Sequence, residues 1–509
     1  MSTAAMATTA SEAEIVIIGT GFSGLAMAVR LLSEGRRDFI MLERGNQVGG
    51  TWRDNSYPGC ACDVPSHLYS FSFALNPNWS STYSGQAEIK AYIQKVAEDR
   101  GLLQFVRFNC NVEAARWDDA EQRWHIDTSL GEFSARVVVA ASGALSDPAL
   151  PSLPGLDRFK GRTFHSSNWD HDYDLAGKRV AVVGTGASAI QFVPKIQPQV
   201  GRLHVFQRTA SWIVPRSARP LTRFEHALYR LLPFTQQAMR GLVYATRELI
   251  AIPLLRVKLS PVIRMVAQSH LRRQVPDPDL RRKLTPSYAP GCKRILISND
   301  YLPALAQPNV EVVTDGIAEV REHSIVSADG TEREVDAIIF GTGFHVTDWP
   351  LAERITGRDG RTMAEAGAGS LKALRGTAVP GFPNLFILLG PNTGLGHTSV
   401  VVMSEAQAGY VVKALRHMSA AGLATLEART SAHEDWNARI QQRLRGTVWN
   451  AGGCRSWYLD KNGVNTAIWP DFSFRFLRQM RTFEAGEYIA APAGAPTREP
   501  ATTAPGVAA

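Results

Sequence analysis

The run Glu14–Glu43, EIVIIGTGFSGLAMAVRLLSEGRRDFIMLE, reads as strand, turn, helix, strand. Glu14 to Ile18 is a short apolar run of strand type, and Leu25 to Ser33 has helical spacing. Between them stands Gly19-Thr20-Gly21-Phe22-Ser23-Gly24. Glycines there permit a tight turn and bring a pyrophosphate close to the helix N-terminus. Phe39 to Leu42 forms the next strand and ends at Glu43, 24 positions after Gly19. An acid at that offset accepts hydrogen bonds from ribose hydroxyls.

The same arrangement recurs. Strand Arg179 to Val183 runs into Gly184-Thr185-Gly186-Ala187-Ser188-Ala189, with Ala189 as the third small residue. The following strand, Leu203 to Phe206, ends in Gln207-Arg208-Thr209, and Arg208 again lies 24 positions after the first glycine. A guanidinium at this offset suits a 2′-phosphate where an acid suits a free ribose. The first site therefore reads as FAD and the second as NADPH. Two dinucleotide sites in one chain suggest electron transfer from one cofactor to the other. The expected fold class is α/β, with two Rossmann-like dinucleotide-binding domains and a helical insertion in the NADPH domain.

Between the fingerprints lies Phe-Lys-Gly-Arg-Thr-Phe-His-Ser-Ser-Asn-Trp-Asp, residues 159–170. It fits F-x-G-x-x-x-H-x-x-x-W-[D/P] through Phe159, Gly161, His165, Trp169 and Asp170. On this loop the chain resembles the Baeyer–Villiger monooxygenases, class B flavin enzymes that turn ketones into esters or lactones. The resemblance runs over roughly residues 12–485. A second pattern, [A/G]-G-x-W-x4-[F/Y]-P-G-x3-D, is met by Gly49, Gly50, Trp52, Tyr57, Pro58, Gly59 and Asp63.

That resemblance implies that residues 49–63 line the flavin with Asp63 close to the reaction centre. In Gly291-Cys292-Lys293-Arg294, it implies that Lys293 helps hold the 2′-phosphate and Arg294 reaches the flavin. A Ser456-Trp457 pair would fold over the nicotinamide from a mobile loop, 452–458. The cofactor-binding set is thus Gly19, Gly21, Phe22, Ser23, Gly24, Glu43, Arg44, Thr51, Trp52, Asp63, Tyr69 and Val112 for FAD. For NADPH it is Gly184, Thr185, Gly186, Ala187, Ser188, Ala189, Arg208, Thr209, Lys293 and Trp457, while Arg294 belongs to the cofactor-binding set through its reach to the flavin. One departure is Gly341-Thr342-Gly343, where the family usually has A-T-G.

The implied chemistry needs NADPH, FAD, dioxygen and a small-molecule ketone. NADPH reduces FAD, reduced FAD and dioxygen give a flavin peroxide, and that anion adds to the ketone. Arg294 is the candidate catalytic cation, because a guanidinium stays charged in a rigid fork of donors. Asp63 is the second catalytic candidate, orienting Arg294 or the nicotinamide amide. Phe159, Gly161, His165 and Trp169 are assigned to coupling domain motion with catalysis. The alternatives are an N- or S-oxygenating flavin monooxygenase, an FAD/NADPH dehydrogenase or disulfide reductase, and a non-catalytic flavoprotein or membrane-associated interaction protein using the 217–285 helices.

Length, 509 residues, allows about three domains. The expected division is 12–147 with 345–489 for FAD, 148–216 with 286–344 for NADPH, 217–285 as the helical insertion, and 490–509 as a disordered tail. Residues 217–285 are amphipathic and Arg-rich, and a membrane-surface helix is the alternative reading there. The substrate pocket is expected to be lined by flavin-domain loops, this insertion and residues 452–458.

Hydrophobic content of 45% and charged content of 20% suit a soluble globular protein. The net charge of +8 is spread without a nucleic-acid motif, so nucleic acid is not an expected partner. Five cysteines without a C-x-x-C pair argue against a disulfide framework and for a reducing cytoplasm. Residues 1–14 lack the basic start and apolar stretch of a signal peptide. No run reaches ~18 apolar residues, so no membrane span is expected. No His/Cys cluster has metal-ligand spacing. His125 and His397 read as structural.

Overall fold

The computed structural model describes residues 11–495. Strand Ser11–Ile18 pairs in parallel with Phe39–Leu42 on one side and Gly131–Ala140 on the other, with Ile15 facing Phe39 and Val137. Side chains of a strand alternate between faces. Ile15 and Ile17 accordingly pack with Leu25, Met27 and Leu31 of helix Phe22–Ser33. Val16 and Ile18 point to the opposite layer, which holds Trp117 and Trp124. Because both faces are covered, the strand is a continuous apolar run rather than an alternating one.

Val112–Asp118, Arg123–Thr128 and Gly131–Ala140 form an antiparallel meander that extends this sheet, with Trp117 paired to Trp124. Leu385–Ile387 returns beside Val138–Ala140 in parallel.

The second sheet is wholly parallel. Its order is Val310–Val313, Arg202–Phe206, Arg179–Val183, Ala337–Phe340, Arg162–His165. Phe340 is opposite His165, so the signature loop begins on the edge strand.

Residues 217–285 hold helices Arg223–Leu231, Pro233–Leu255, Pro261–Gln274 and Pro278–Lys283. Their starts are written locally. Thr222 and Glu225 make a capping box, Pro233, Pro261 and Pro278 open the next three helices, and Asp277 caps the last.

Two expectations are corrected. Ala490, Ala491 and Pro492 are not a disordered tail but belong to strand Tyr488–Pro492, antiparallel to Leu423–Ala428. Small residues suffice there because Ala490 lies opposite Leu426 and the carbonyl ladder supplies the pairing. Gln122 Nε2 also donates to the Ala495 carbonyl at 2.9 Å. The rest of that expected tail, 496–509, lies outside the described residues. Secondly, Cys292 and Cys454 are joined by a disulfide across 162 positions. The bond exists because two distant loops meet, a proximity no local cysteine spacing encodes.

Candidate active site

One cavity of about 1390 Å³ opens at the carboxyl ends of the parallel strands of both sheets, lined by both fingerprint loops. Ligands of open α/β sheets sit at this place. Helices Phe22–Ser33 and Ala189–Ile196 start at it without a side-chain cap, so their first N–H groups keep donors for an anion. Gly24 is demanded by packing, since a Cβ there would stand 1.9 Å from the Gly19 carbonyl oxygen.

Glu43 is buried at the end of its strand. Its Oε2 accepts from Thr20 N (3.1 Å) and Thr20 Oγ1 (2.6 Å), and its Oε1 from Gly45 N (2.7 Å) and Arg53 Nη1 (2.5 Å). Burial alone would raise its pKa, but the Arg53 charge and these donors outweigh it and hold the carboxyl below its ordinary value. A carboxylate offers about four acceptor positions. All are in use, so a ribose diol reaches Glu43 only by displacing Thr20 Oγ1 or Arg53. Arg44 pairs with Asp147 at 2.8 Å and lines the cavity from the rim.

Thr51 and Trp52 begin a short helix, and Trp52 Nε1 donates to Tyr69 Oη at 3.1 Å. The Tyr69 ring meets Phe22 edge-on at 5.1 Å, which ties the first fingerprint to residues 51–69. Val112 closes the cavity from the meander.

Asp63 and Arg294 meet in the same cavity. Arg294 Nε donates to Asp63 Oδ2 at 2.8 Å, Nη2 lies 2.8 Å from the same oxygen, and Nη1 donates to the Leu395 carbonyl at 3.0 Å. Of five guanidinium N–H groups these contacts use three, leaving one on each terminal nitrogen. The Asp63 charge raises the Arg294 pKa above its already high value, against the opposing effect of burial. Neighbouring groups stay neutral. Burial lifts the Cys62 thiol and the Tyr69 phenol far up and Tyr458 to about 12.

Arg208 is exposed at the end of its strand, and Lys293 is half-buried with Nζ 5.4 Å from the Tyr288 ring centre. Burial lowers the Lys293 pKa, and the Arg208 charge lowers it further. Among the described residues neither cation has a carboxylate partner. Two unpaired like charges beside an uncapped helix N-terminus form a setting for a phosphate.

The signature loop lies away from this chemistry. Gly161 has no room for a side chain, since a Cβ would meet the Asp336 carbonyl oxygen at 2.4 Å and the Phe159 ring at 2.5 Å. His165 is buried, and desolvation lowers it to about 4, so it is neutral. Its ring stands edge-on to Phe344 at 5.6 Å. Trp169 packs on Phe192 at 5.3 Å, and Phe192 meets Tyr57 at 6.0 Å. An aromatic relay thus joins the loop to the helix of the second fingerprint and to the stretch before Asp63.

Sequence reasoning missed Gln191 at this junction. Its Oε1 accepts from Tyr57 Oη at 2.9 Å and Ala61 N at 3.2 Å, and its Nε2 donates to the Ala61 carbonyl at 2.9 Å. Arg53, Thr20 and Tyr458 were missed too. A polar residue facing inward from an apolar helix was the signal at Gln191; nothing local marked the others. Trp457 is half exposed, lies tilted against the Tyr458 ring at 4.2 Å and lines the cavity. The disulfide ties this loop to the one bearing Lys293 and Arg294.

The cavity lining contains no residue of 217–285, contrary to expectation. The insertion braces the wall from behind, where Leu254 approaches Gly291 and Gly396. His125 bridges Glu121 and Glu132 at the surface. His397 is buried 3.7 Å from Glu248, outside the lining.

Residues 12–234 match the family described as flavin-binding monooxygenase-like. A Baeyer–Villiger monooxygenase of Streptomyces coelicolor is 53% identical over 476 residues, covering 93% of this chain and 92% of the relative. A solved oxidized steroid monooxygenase bound to NADP superposes with a TM-score of 0.84 at 31% identity, over 95% of this chain and 100% of the other. A structure described as OTEMO in complex with FAD and NADP gives 0.86 at 26% identity, over the same shares. The paired fingerprints, the loop at Phe159–Trp169 and these likenesses together place the chain in the Baeyer–Villiger monooxygenase family of flavin-binding monooxygenases.

Proposed function

We infer that this chain uses NADPH and dioxygen to insert one oxygen atom beside a ketone carbonyl, giving an ester or lactone. The observation that carries the reading is Arg294, anchored by Asp63 with donors to spare, in a cavity shared by both dinucleotide fingerprints. Bound FAD, once reduced by NADPH, supplies the oxygen activation. The roles below belong to the chain itself.

The first fingerprint, Glu43, Trp52 and Tyr69 hold the flavin nucleotide. The second fingerprint, Arg208, Thr209 and Lys293 hold NADPH through its 2′-phosphate. Arg294 presents fixed charge to the anion that forms on the reaction path, and preorganised charge in a water-poor site costs no reorganisation at the reacting moment. Asp63 keeps the guanidinium in one orientation and leaves the pair neutral. Neutral Cys62, Tyr69 and Tyr458 add no competing anion. Trp457 covers the nicotinamide side. Gly161, His165 and Trp169 act through Phe192 and Tyr57, transmitting the relative position of the two sheets. The domain limits at about 147, 216, 285 and 344 belong to the same proposal.

The N- or S-oxygenating alternative gains nothing from the Asp63–Arg294 pair. A disulfide reductase would need a reactive thiolate, and burial raises Cys60 to about 12 and Cys62 further. The reading includes a cytoplasmic setting, which regeneration of NADPH there supports and in which the Cys292–Cys454 bond would meet thiol reductants. The test is to supply linear, cyclic and steroid-like ketones with NADPH and isotopically heavy dioxygen. One heavy atom in the ester per NADPH is expected; sulfoxide or N-oxide formation with no ester from any ketone would overturn the reading.

A further inference from the structure

We propose that the outer face of the helical insertion docks on an anionic lipid surface. Of 18 exposed large hydrophobic residues among those described, 12 lie between Phe224 and Val266. Phe224, Leu231, Phe234, Leu242, Leu249 and Met265 are each more than half exposed.

Helix Pro233–Leu255 carries apolar residues toward solvent as well as toward the core, where Ala251 and Leu254 are buried, unlike a helix with one water-facing polar side. Its exposed positions include Phe234, Ala238, Leu242, Ala245, Leu249 and Ile252, an apolar stripe at helical spacing flanked by exposed Gln237, Gly241 and Thr246. Its three charged residues turn inward. Arg240 Nη1 donates to the carbonyls of His67 (2.7 Å) and Ser70 (3.0 Å), Arg247 to Tyr83 Oη, and Glu248 accepts from Ser473 N (3.1 Å).

Charge says what covers this face. Residues 217–275 contain ten Lys and Arg against Glu225 and Glu248, an excess of eight that equals the net charge of the whole chain. Glu225 is already paired with Arg219, and Glu248 is buried. Arg223, Arg256, Lys258, Arg264, Arg272 and Arg273 are exposed, and among the described residues none is ion-paired. Arg264, Arg272 and Arg273 border a surface hollow of about 430 Å³ with Met265 at its edge, a shape for a phosphate headgroup beside apolar chains. A second copy is the poorer occupant, because a two-fold interface would set this cationic patch against itself. Among the described residues no helix is long and apolar enough to cross a membrane, so the contact is peripheral. Apolar side chains enter the interface while Lys and Arg meet anionic headgroups.

The test is co-sedimentation of the FAD-loaded enzyme with unilamellar vesicles of phosphatidylcholine alone or mixed with phosphatidylglycerol. Binding to the mixed vesicles is expected, with little to the neutral ones, and it should weaken as salt rises. Leu242→Glu with Leu249→Glu, both outside the cavity, should retain FAD and ketone oxidation yet lose binding by about tenfold or more. No binding by the parent enzyme, or equal binding by the variant, overturns the proposal. So does a dimer in solution that these substitutions dissociate, since that would assign the face to a second copy.

Discussion

Arg294 and Asp63 stand 231 positions apart in sequence and meet at 2.8 Å, two guanidinium nitrogens sharing one carboxylate oxygen. One residue comes from the loop after the first fingerprint and the other from the loop beyond the helical insertion. The pair therefore forms only when the two nucleotide-binding halves are correctly placed, which couples its electrostatics to their docking.

The proposed function assigns nucleotide preference to Arg208 and Lys293. Arg208→Ala should raise the KM for NADPH about 10- to 150-fold, the loss of one charge-assisted contact worth ~1.5–3 kcal/mol. The KM for NADH should move little. Steady-state kinetics with both nucleotides checks this, and a preference that does not change removes Arg208 from the 2′-phosphate site.

His165 links pH to stability rather than to catalysis. Its folded pKa, about 4, lies below the ordinary histidine value because burial disfavours the cation. The unfolded chain binds the extra proton between those values, so the stabilising contribution is complete above roughly pH 6.5 and is lost as pH falls toward 4. At most ~3 kcal/mol is involved. Comparing denaturant unfolding of His165→Gln and parent enzyme across this range should show parent stability falling more steeply. Parallel curves would contradict the buried neutral state.

The disulfide tethers loop 452–458 to the loop bearing Arg294, and its reduction should loosen that wall of the cavity. Cys454→Ser should leave the reduction of FAD by NADPH within about threefold. It should raise the fraction of NADPH spent on hydrogen peroxide, because Trp457 and Arg455 lose their tether to the Arg294 loop and admit water. Assaying peroxide with and without dithiothreitol checks it. The variant should be insensitive to the reductant, and a parent enzyme that is equally insensitive would separate the bond from catalysis.

What could be read from the sequence was what local sterics dictate. Gly19–Gly24 and Gly184–Ala189 carry their turns within a few residues. Partners supplied by distant chain did not show. Ala490–Pro492 becomes a strand because Leu423–Ala428 lies beside it, and Cys454 finds Cys292 only after folding. Gln191 looked like one more helical residue until Tyr57 and Ala61 were brought to it. Periodicity marked residues 217–285 as amphipathic and helical but not which apolar positions of helix Pro233–Leu255 face solvent, and there Arg240, Arg247 and Glu248 turn inward.

The central claim is that Arg294 serves oxygen insertion and not flavin reduction. It is tested most directly by following NADPH consumption, ester and hydrogen peroxide together in Arg294→Ala and parent enzyme. The account predicts that the variant still oxidises NADPH while ester formation falls about 10²- to 10³-fold and peroxide takes its place. Ester yield per NADPH equal to that of the parent would contradict it.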